Sequence, residues 1–255
     1  MVELKTPQQI AAMRAAGRVV AAALAAVRDH AAVGVSLEEL DGVAADTIGA
    51  AGAEPLFLDY HPKWAPTPFA GVICASVNDD VVHGVPTDRR LLDGDLVSID
   101  CGASLDGWCG DAAISFVVGA ADPADTHLID TTARALDAGI AAAVAGNRLG
   151  DISHAIEEVA AAAGYGLLAD HGGHGIGQVM HEEPFVPNAG RAGRGFPLRP
   201  GLVLALEPML LAGGGSGYTK GSDGWTLATA DGSRAAHVEH TVAITDDGPL
   251  VLTAP

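Results

Sequence analysis

Positive charge is what this chain has least of: 14 Lys and Arg stand against 32 Asp and Glu, a formal net charge of −18 over 255 residues. Binding to phosphate backbones or anionic lipid is driven by clustered basic side chains, and no basic stripe is present, so nucleic acid and membrane are not expected as partners. The acidic residues are scattered instead of forming a tail, which suits a soluble surface. Cysteine is scarce as well. Cys74, Cys101 and Cys109 cannot all pair and have no CxxC spacing, which argues against a disulfide framework and a zinc finger; they read as small buried apolar residues in a reducing compartment. The first residues, MVELKTPQQ, have neither the charged nor the apolar region of a secretion signal, and the apolar run from Val19 to Val27 is too short to cross a bilayer. A cytoplasmic location is expected.

What is present is enough apolar residue, 49% of the chain, to bury a large core. Thr6-Pro7-Gln8-Gln9 is a helix start, with a Thr cap, Pro at the first helical position and Gln three residues after the cap; it predicts a helix to about Asp29. Ser36-Leu37-Glu38-Glu39 predicts a second helix ending near Gly52. Two more are expected at about Ala124 to Ala145 and Asp151 to Ala163, ending at Gly146 and Gly164. Setting Gly34 against Gly146 aligns Leu37 with Leu149, Leu40 with Ile152 and Gly52 with Gly164 without a gap, which points to an internal duplication. Strands are expected at Val72 to Val77, Leu96 to Cys101, Ala112 to Val118, Leu202 to Leu206 and His237 to Thr245. The pattern predicts an α+β fold, with helical hairpins on one face of a curved antiparallel sheet. With no linker in view, it predicts one domain over 1–255, in halves of about 6–120 and 121–255.

Five residues stand out because an unpaired charge in their apolar or glycine-rich surroundings would be unfavourable: Asp100, Asp111, His174, Glu207 and Glu239. Leu96 to Cys101 and Gly110 to Phe116 read as a hairpin around Asp106-Gly107. A turn at that dipeptide pairs Asp100 with Ala113, and a turn one residue earlier pairs it with Asp111. Both registers put the two aspartates on one face, roughly 5 to 8 Å apart. Two such carboxylates with no Lys or Arg between them call either for a metal or for full solvation. His171, His174 and His181 lie within eleven residues among glycines, at a spacing unlike the helical HExxH of single-zinc proteases. His174 and His181 are taken as functional, His171 as a loop histidine behind them, and Glu182 and Glu183 as structural. Glu207 ends the apolar run Leu202 to Leu206. Alternation puts Glu239 on the side of His237 and Thr241, opposite Val238 and Val242. Each glutamate alone also fits a structural salt bridge, and spacing does not bring the three segments together.

From Lys5 to Val251 the chain resembles the type I methionine aminopeptidases. The resemblance is carried by Ser76-Val-Asn-Asp-Asp-Val-Val-His83-Gly-Val-Pro86, by Asp100 and Asp111 eleven residues apart, by Gly173-His174-Gly-Ile-Gly177 with His181-Glu-Glu-Pro184, by Glu207-Pro-Met209 and by Val238-Glu239-His-Thr241. It implies the two-fold "pita bread" fold and release of initiator methionine from nascent proteins whose second residue is small. It implies two divalent metals (Co, Mn, Fe or Zn), with Asp100 chelating one, His174 and Glu207 the other, and Asp111 and Glu239 bridging. By the same match Glu207 moves protons, His181 stabilises the oxyanion, and His83 contacts the scissile amide or the departing amine. The methionine pocket would include Phe69, Cys74, Met180 and Trp225. A monomer is expected, and the resemblance leaves room for a monovalent cation near Asn78. Two departures from the family pattern bear on this. Pro68 to Ile73 replaces an aromatic-Pro-Lys-Ser segment, and His237 stands two before Glu239. No zinc-finger or ribosome-docking extension precedes the unit, so docking through one is not expected. Xaa-Pro peptidases share the five ligands but usually carry a separate amino-terminal domain; a silent binding protein on the same scaffold would not need them.

Overall fold

A computed structural model describes residues 2–254. Helix α1 (Pro7–His30) starts as its sequence requires: the Thr6 hydroxyl accepts from the Gln9 N–H while the Gln9 side chain accepts from the Thr6 N–H. Ser36 and Glu39 cap α2 (Leu37–Ala50) in the same reciprocal way. The second helical hairpin is α3 (Pro123–Ala142) and α4 (Leu149–Ala162). Both of its inner boundaries differ from expectation. The Asn147 side chain donates to the Ala142 carbonyl at 2.9 Å and closes α3 there, and α4 starts two residues before the expected Asp151, whose side chain accepts the Arg148 N–H at 2.7 Å from within the first turn. The duplication is visible in the connections. Gly34 and Gly146 hold equivalent places between the helices with φ of 90° and 98°, where a side chain would be strained.

The first half contributes β1 (Glu54–Pro55), β2 (Ile73–Val77), β3 (Asp80–Val82), β4 (Leu96–Leu105) and β5 (Trp108–Val117). The second half begins with β6 (Gly166–Leu167), β7 (Gly172–Gly175), β8 (Glu182–Pro187), β9 (Val203–Leu206) and β10 (Met209–Leu211). It ends with β11 (Tyr218–Lys220), β12 (Leu227–Thr229), β13 (Ala235–His237), β14 (Glu239–Thr245) and β15 (Gly248–Val251). The expected strand from His237 to Thr245 is therefore split at Val238, where the chain leaves one sheet and enters another. The main antiparallel sheet runs β1-β4-β5-β14-β9-β7-β8, with β2 beside β4 and β15 beside β14. Its halves meet where β5 pairs with β14.

Each helical hairpin covers its own half of the sheet. Val20, Leu24 and Val27 of α1 and Leu40 and Ile48 of α2 pack on Val97 and Ile99 of β4. Leu128 and Leu136 of α3 and Ile152 and Ile156 of α4 pack on Leu204, Leu206, Val242 and Ile244. Burying each such side chain contributes about 1.5–3 kcal/mol. Although α1 is long and apolar enough to cross a membrane, half of its apolar window is buried in the protein. The helices take one face of the curved sheet, which frees the other for polar residues.

Candidate metal centre and its cavity

Strand register builds the centre. Asp106 and Gly107 both have positive φ, 51° and 78°, which makes the tight two-residue turn whose twist matches the flanking strands. That turn selects the register in which Asp100 faces Ala113, and Ala113 in turn faces Glu239 across the join of the halves. The small Ala113 leaves space between the two carboxylates, and Asp111, two residues before it, projects from the same face. On the far side of β14, His240 pairs with Leu206, so Glu207 follows in line beside Glu239. His174 faces Ala205, which also faces Thr241. Thr241 fastens the join: its hydroxyl donates to the Asp111 carbonyl at 2.8 Å and accepts from the Asp111 N–H at 3.0 Å. Glu207 is held through its carbonyl, which accepts from Asn188 at 2.9 Å.

This arrangement is unfavourable unless something positive enters it. Asp100 Oδ1, Asp111 Oδ1 and Glu239 Oε1 are buried without a hydrogen-bond partner. Among the described residues, the only basic groups within 4.0 Å of the carboxylates of Glu207 and Glu239 are histidines. Burial pushes the Asp100 carboxyl up to about 7. It also raises Asp111, Glu207 and Glu239 well above the usual carboxylate range, and there the repulsion of neighbouring carboxylates adds to it. Burial pushes the His174 imidazole down to about 3, which keeps it neutral. Its Nδ1 lies 2.9 Å from the Gly175 carbonyl and donates there, leaving the Nε2 lone pair free toward Glu207 Oε1 at 3.7 Å. Ligand atoms of Asp111, His174 and Glu239 fall within 4.8 Å of one another, as do those of Glu207, His237 and Glu239. Oxygen-rich donors with imidazole, orphaned and neutral or shared in charge until a cation arrives, fit divalent metals.

The centre forms one wall of a cavity of about 720 Å³, and all eleven residues expected in the site line it. At the other end Phe57, Ala65, Phe69, Cys74, Met180 and Trp225 form a buried apolar cluster. The Phe69 ring meets Trp225 edge-on at 5.1 Å and Phe57 at 6.4 Å, while Trp225 Nε1 donates to the Thr67 carbonyl at 3.1 Å. Cys74 is a free buried thiol, as are Cys101 and Cys109. His83 and His181 stand between the two ends. Burial, aided by the neighbouring His171 and His181, pushes His83 down to about 4, and burial lowers His181 too.

One functional contact escaped the sequence reading. The Tyr60 hydroxyl lies 3.0 Å from His181 Nδ1. In the tautomer where the phenol donates to Nδ1, the neutral ring carries its proton on Nε2. In that arrangement His174 and His181, with ring centroids 4.4 Å apart, differ: one offers a lone pair, the other a proton. Nothing marked Tyr60 in a Pro-rich stretch without periodicity. Trp64 was also missed; it meets Trp225 edge-on at 5.0 Å at the cavity mouth, with Lys220 Nζ 4.8 Å above its ring. His171 lines the cavity edge-on to His83 at 6.3 Å, behind the ligands. Glu182 is structural, paired with the buried Lys5. Asn78 is engaged locally, donating to Asp95 at 2.9 Å and accepting from the Leu96 N–H at 3.1 Å.

The chain matches the family model of metallopeptidase family M24 over residues 11–246. It is 53% identical to methionine aminopeptidase 1 of Mycobacterium tuberculosis over 260 residues, covering 99% of this chain and 95% of that one. The crystal structure of methionine aminopeptidase from Rickettsia prowazekii superposes with a TM-score of 0.95 at 36% identity, both chains being covered in full. A prolidase from Pyrococcus furiosus shares the fold alone, with a TM-score of 0.79 at 22% identity over 99% of this chain and 65% of that one. The chain therefore belongs to metallopeptidase family M24, among its type I methionine aminopeptidases, and has their pita-bread fold.

Proposed function

We propose that the protein removes the initiator methionine from nascent proteins whose second residue is small, by hydrolysis that depends on two divalent metals. The observation that carries this reading is the meeting, in one cavity, of an orphaned carboxylate and imidazole cluster with a buried apolar cluster. Asp100 would hold one metal and His174 with Glu207 the other, Asp111 and Glu239 bridging; when bound, the metals supply Lewis acidity and activate water at neutral pH.

The remaining work falls to the protein. The methionine side chain fills the space among Phe57, Phe69, Cys74, Met180 and Trp225. The free α-amino group then lies at the Asp100 end of the cluster, beside Cys74, and the need for it restricts cleavage to the chain end. A carboxylate oxygen of Glu207 takes the proton of the attacking water and passes it to the departing amine. His181 presents Nε2–H to the developing oxyanion, a proton held there by the Tyr60 hydroxyl on the opposite nitrogen. His83, neutral because it is buried, contacts the scissile amide or the amine it releases. A bulky second residue would meet the confined wall between these histidines and the pocket.

Both halves contribute ligands, so residues 1–255 act as one catalytic domain, as a monomer in the cytoplasm on the amino termini of new chains. The test is hydrolysis of Met-Ala-Ser by purified protein supplied with Mn, Fe or Co. No release of methionine beside an active control enzyme would overturn the reading. Preferential cleavage of Ala-Pro peptides would move the protein to the Xaa-Pro peptidases.

A further inference from the structure

One imidazole at the metal end is left unused by the five expected ligands. His237 ends β13, opposite Met209, and is 2% exposed. Its Nε2 is buried with no hydrogen-bond partner, although it points at two carboxylates of the cluster: 3.7 Å from Glu207 Oε2 and 3.9 Å from Glu239 Oε2. Glu207 is thus flanked evenly, since His174 Nε2 lies 3.7 Å from its other oxygen. The backbone of His237 is clamped. Its N–H meets the Ser115 and Ser98 hydroxyls at 3.1 and 3.3 Å, and its carbonyl accepts from Ser115 Oγ at 2.7 Å.

We propose that His237 is a sixth protein ligand, which adds a second imidazole to the metal expected between His174, Glu207 and Glu239. The inference rests on the two-metal reading above. Distances of 3.7 and 3.9 Å are too long for hydrogen bonds to the carboxylates. They match the span between two donor atoms on one ion: bonds of about 2.1 Å at angles from tetrahedral to about 140° put donors about 3.4–3.9 Å apart. A buried, unpartnered nitrogen on a fixed backbone is unfavourable alone and suited to capture a cation. Two imidazoles on one metal also shift its preference from Mn toward Co and Zn, which accept nitrogen more readily.

The experiment is a calorimetric and absorption titration of the metal-free protein with Co(II), alongside His237→Ala and His237→Gln. Loss of the ligand should weaken one of the two Co(II) sites by about 100-fold or more, at the top of the range seen for groups that only support ligands. The visible Co(II) bands of that site should shift. Melting of metal-free His237→Gln, which keeps most of the buried volume, should match that of the parent, because an unpartnered imidazole nitrogen adds nothing to the empty fold; a structural role for the imidazole would lower it. Unchanged affinities and bands in both variants would overturn the proposal. Weakened binding with unchanged bands would overturn it too, in favour of a hydrogen bond to the carboxylates. If the unsubstituted protein takes up two Co(II) per chain and releases methionine, the functional reading stands whatever His237 does; if it takes up none, both fall.

Discussion

At the end of the cavity proposed to hold metal, every proposed ligand sits on a strand or on the residue next to one, whereas at the apolar end half of the buried cluster comes from the irregular stretch between Leu56 and Gly71. The first end is placed by ladder hydrogen bonds, in a register that a slip of one residue would invert. The second is held by ring edges and by single bonds such as that from Trp225 to Thr67. Chemistry is therefore expected to fail abruptly with substitutions at the strand end, and specificity to drift gradually with those at the loop end.

The largest effect is expected at Glu207. Glu207→Ala should lower kcat by about 1,000-fold, within the range for loss of a proton-transfer group, and metal titration should find one ion fewer. If activity survives, the strand-built end is not where the chemistry lies. His181→Ala should keep both metals and lower kcat by about 100-fold with little change in KM, as for a lost oxyanion donor. Tyr60→Phe should cost less and should have no effect in the His181→Ala background, because it acts through that ring. This is the sharpest probe of the boundary: Tyr60 is a loop residue whose influence belongs to the chemical end. Phe69→Ala should raise KM for Met-Ala-Ser by about 10-fold with metal stoichiometry unchanged. A fall in metal affinity there would dissolve the distinction between the two ends.

The same contrast explains what the sequence discloses. The helix starts at Thr6 and Ser36, the hairpin at Asp106-Gly107 and the shared face of Asp100 and Asp111 follow from local rules of capping, turn type and alternation, and the structure has all of them. The convergence of these aspartates with His174, Glu207 and Glu239 does not follow locally, because it depends on the pairing of β5 with β14 across the two halves. Motif resemblance supplied that step. Tyr60 and Phe57 were invisible because a loop has no period from which a facing direction can be read. The break at Val238 was missed because both sides of it alternate in phase, and it is this break that sets His237 in a different sheet from Glu239.

The last expected effect is on stability and concerns only the metal end. In metal-free protein the Asp100 carboxyl, raised to about 7 by burial, and its three raised neighbours keep protons that the unfolded chain releases near pH 4. Between about pH 4 and 7 the folded state therefore binds more protons than the unfolded one, and these groups destabilise it increasingly as pH rises. A divalent metal reverses this, because it binds the ionised carboxylates of the folded state alone. At a hundredfold excess over Kd one metal adds about 2.7 kcal/mol, which for a chain of this length is a rise in Tm of about 5–10 °C. The difference in Tm between metal-loaded and metal-free protein cancels titrations elsewhere, so it should grow from pH 5 to pH 7.5 in calorimetric scans. Phe69→Ala should lower both Tm values and leave their difference unchanged. A difference independent of pH would mean that the carboxylates are already ionised without metal, and the electrostatic account of the strand-built end would fail while its geometry stood.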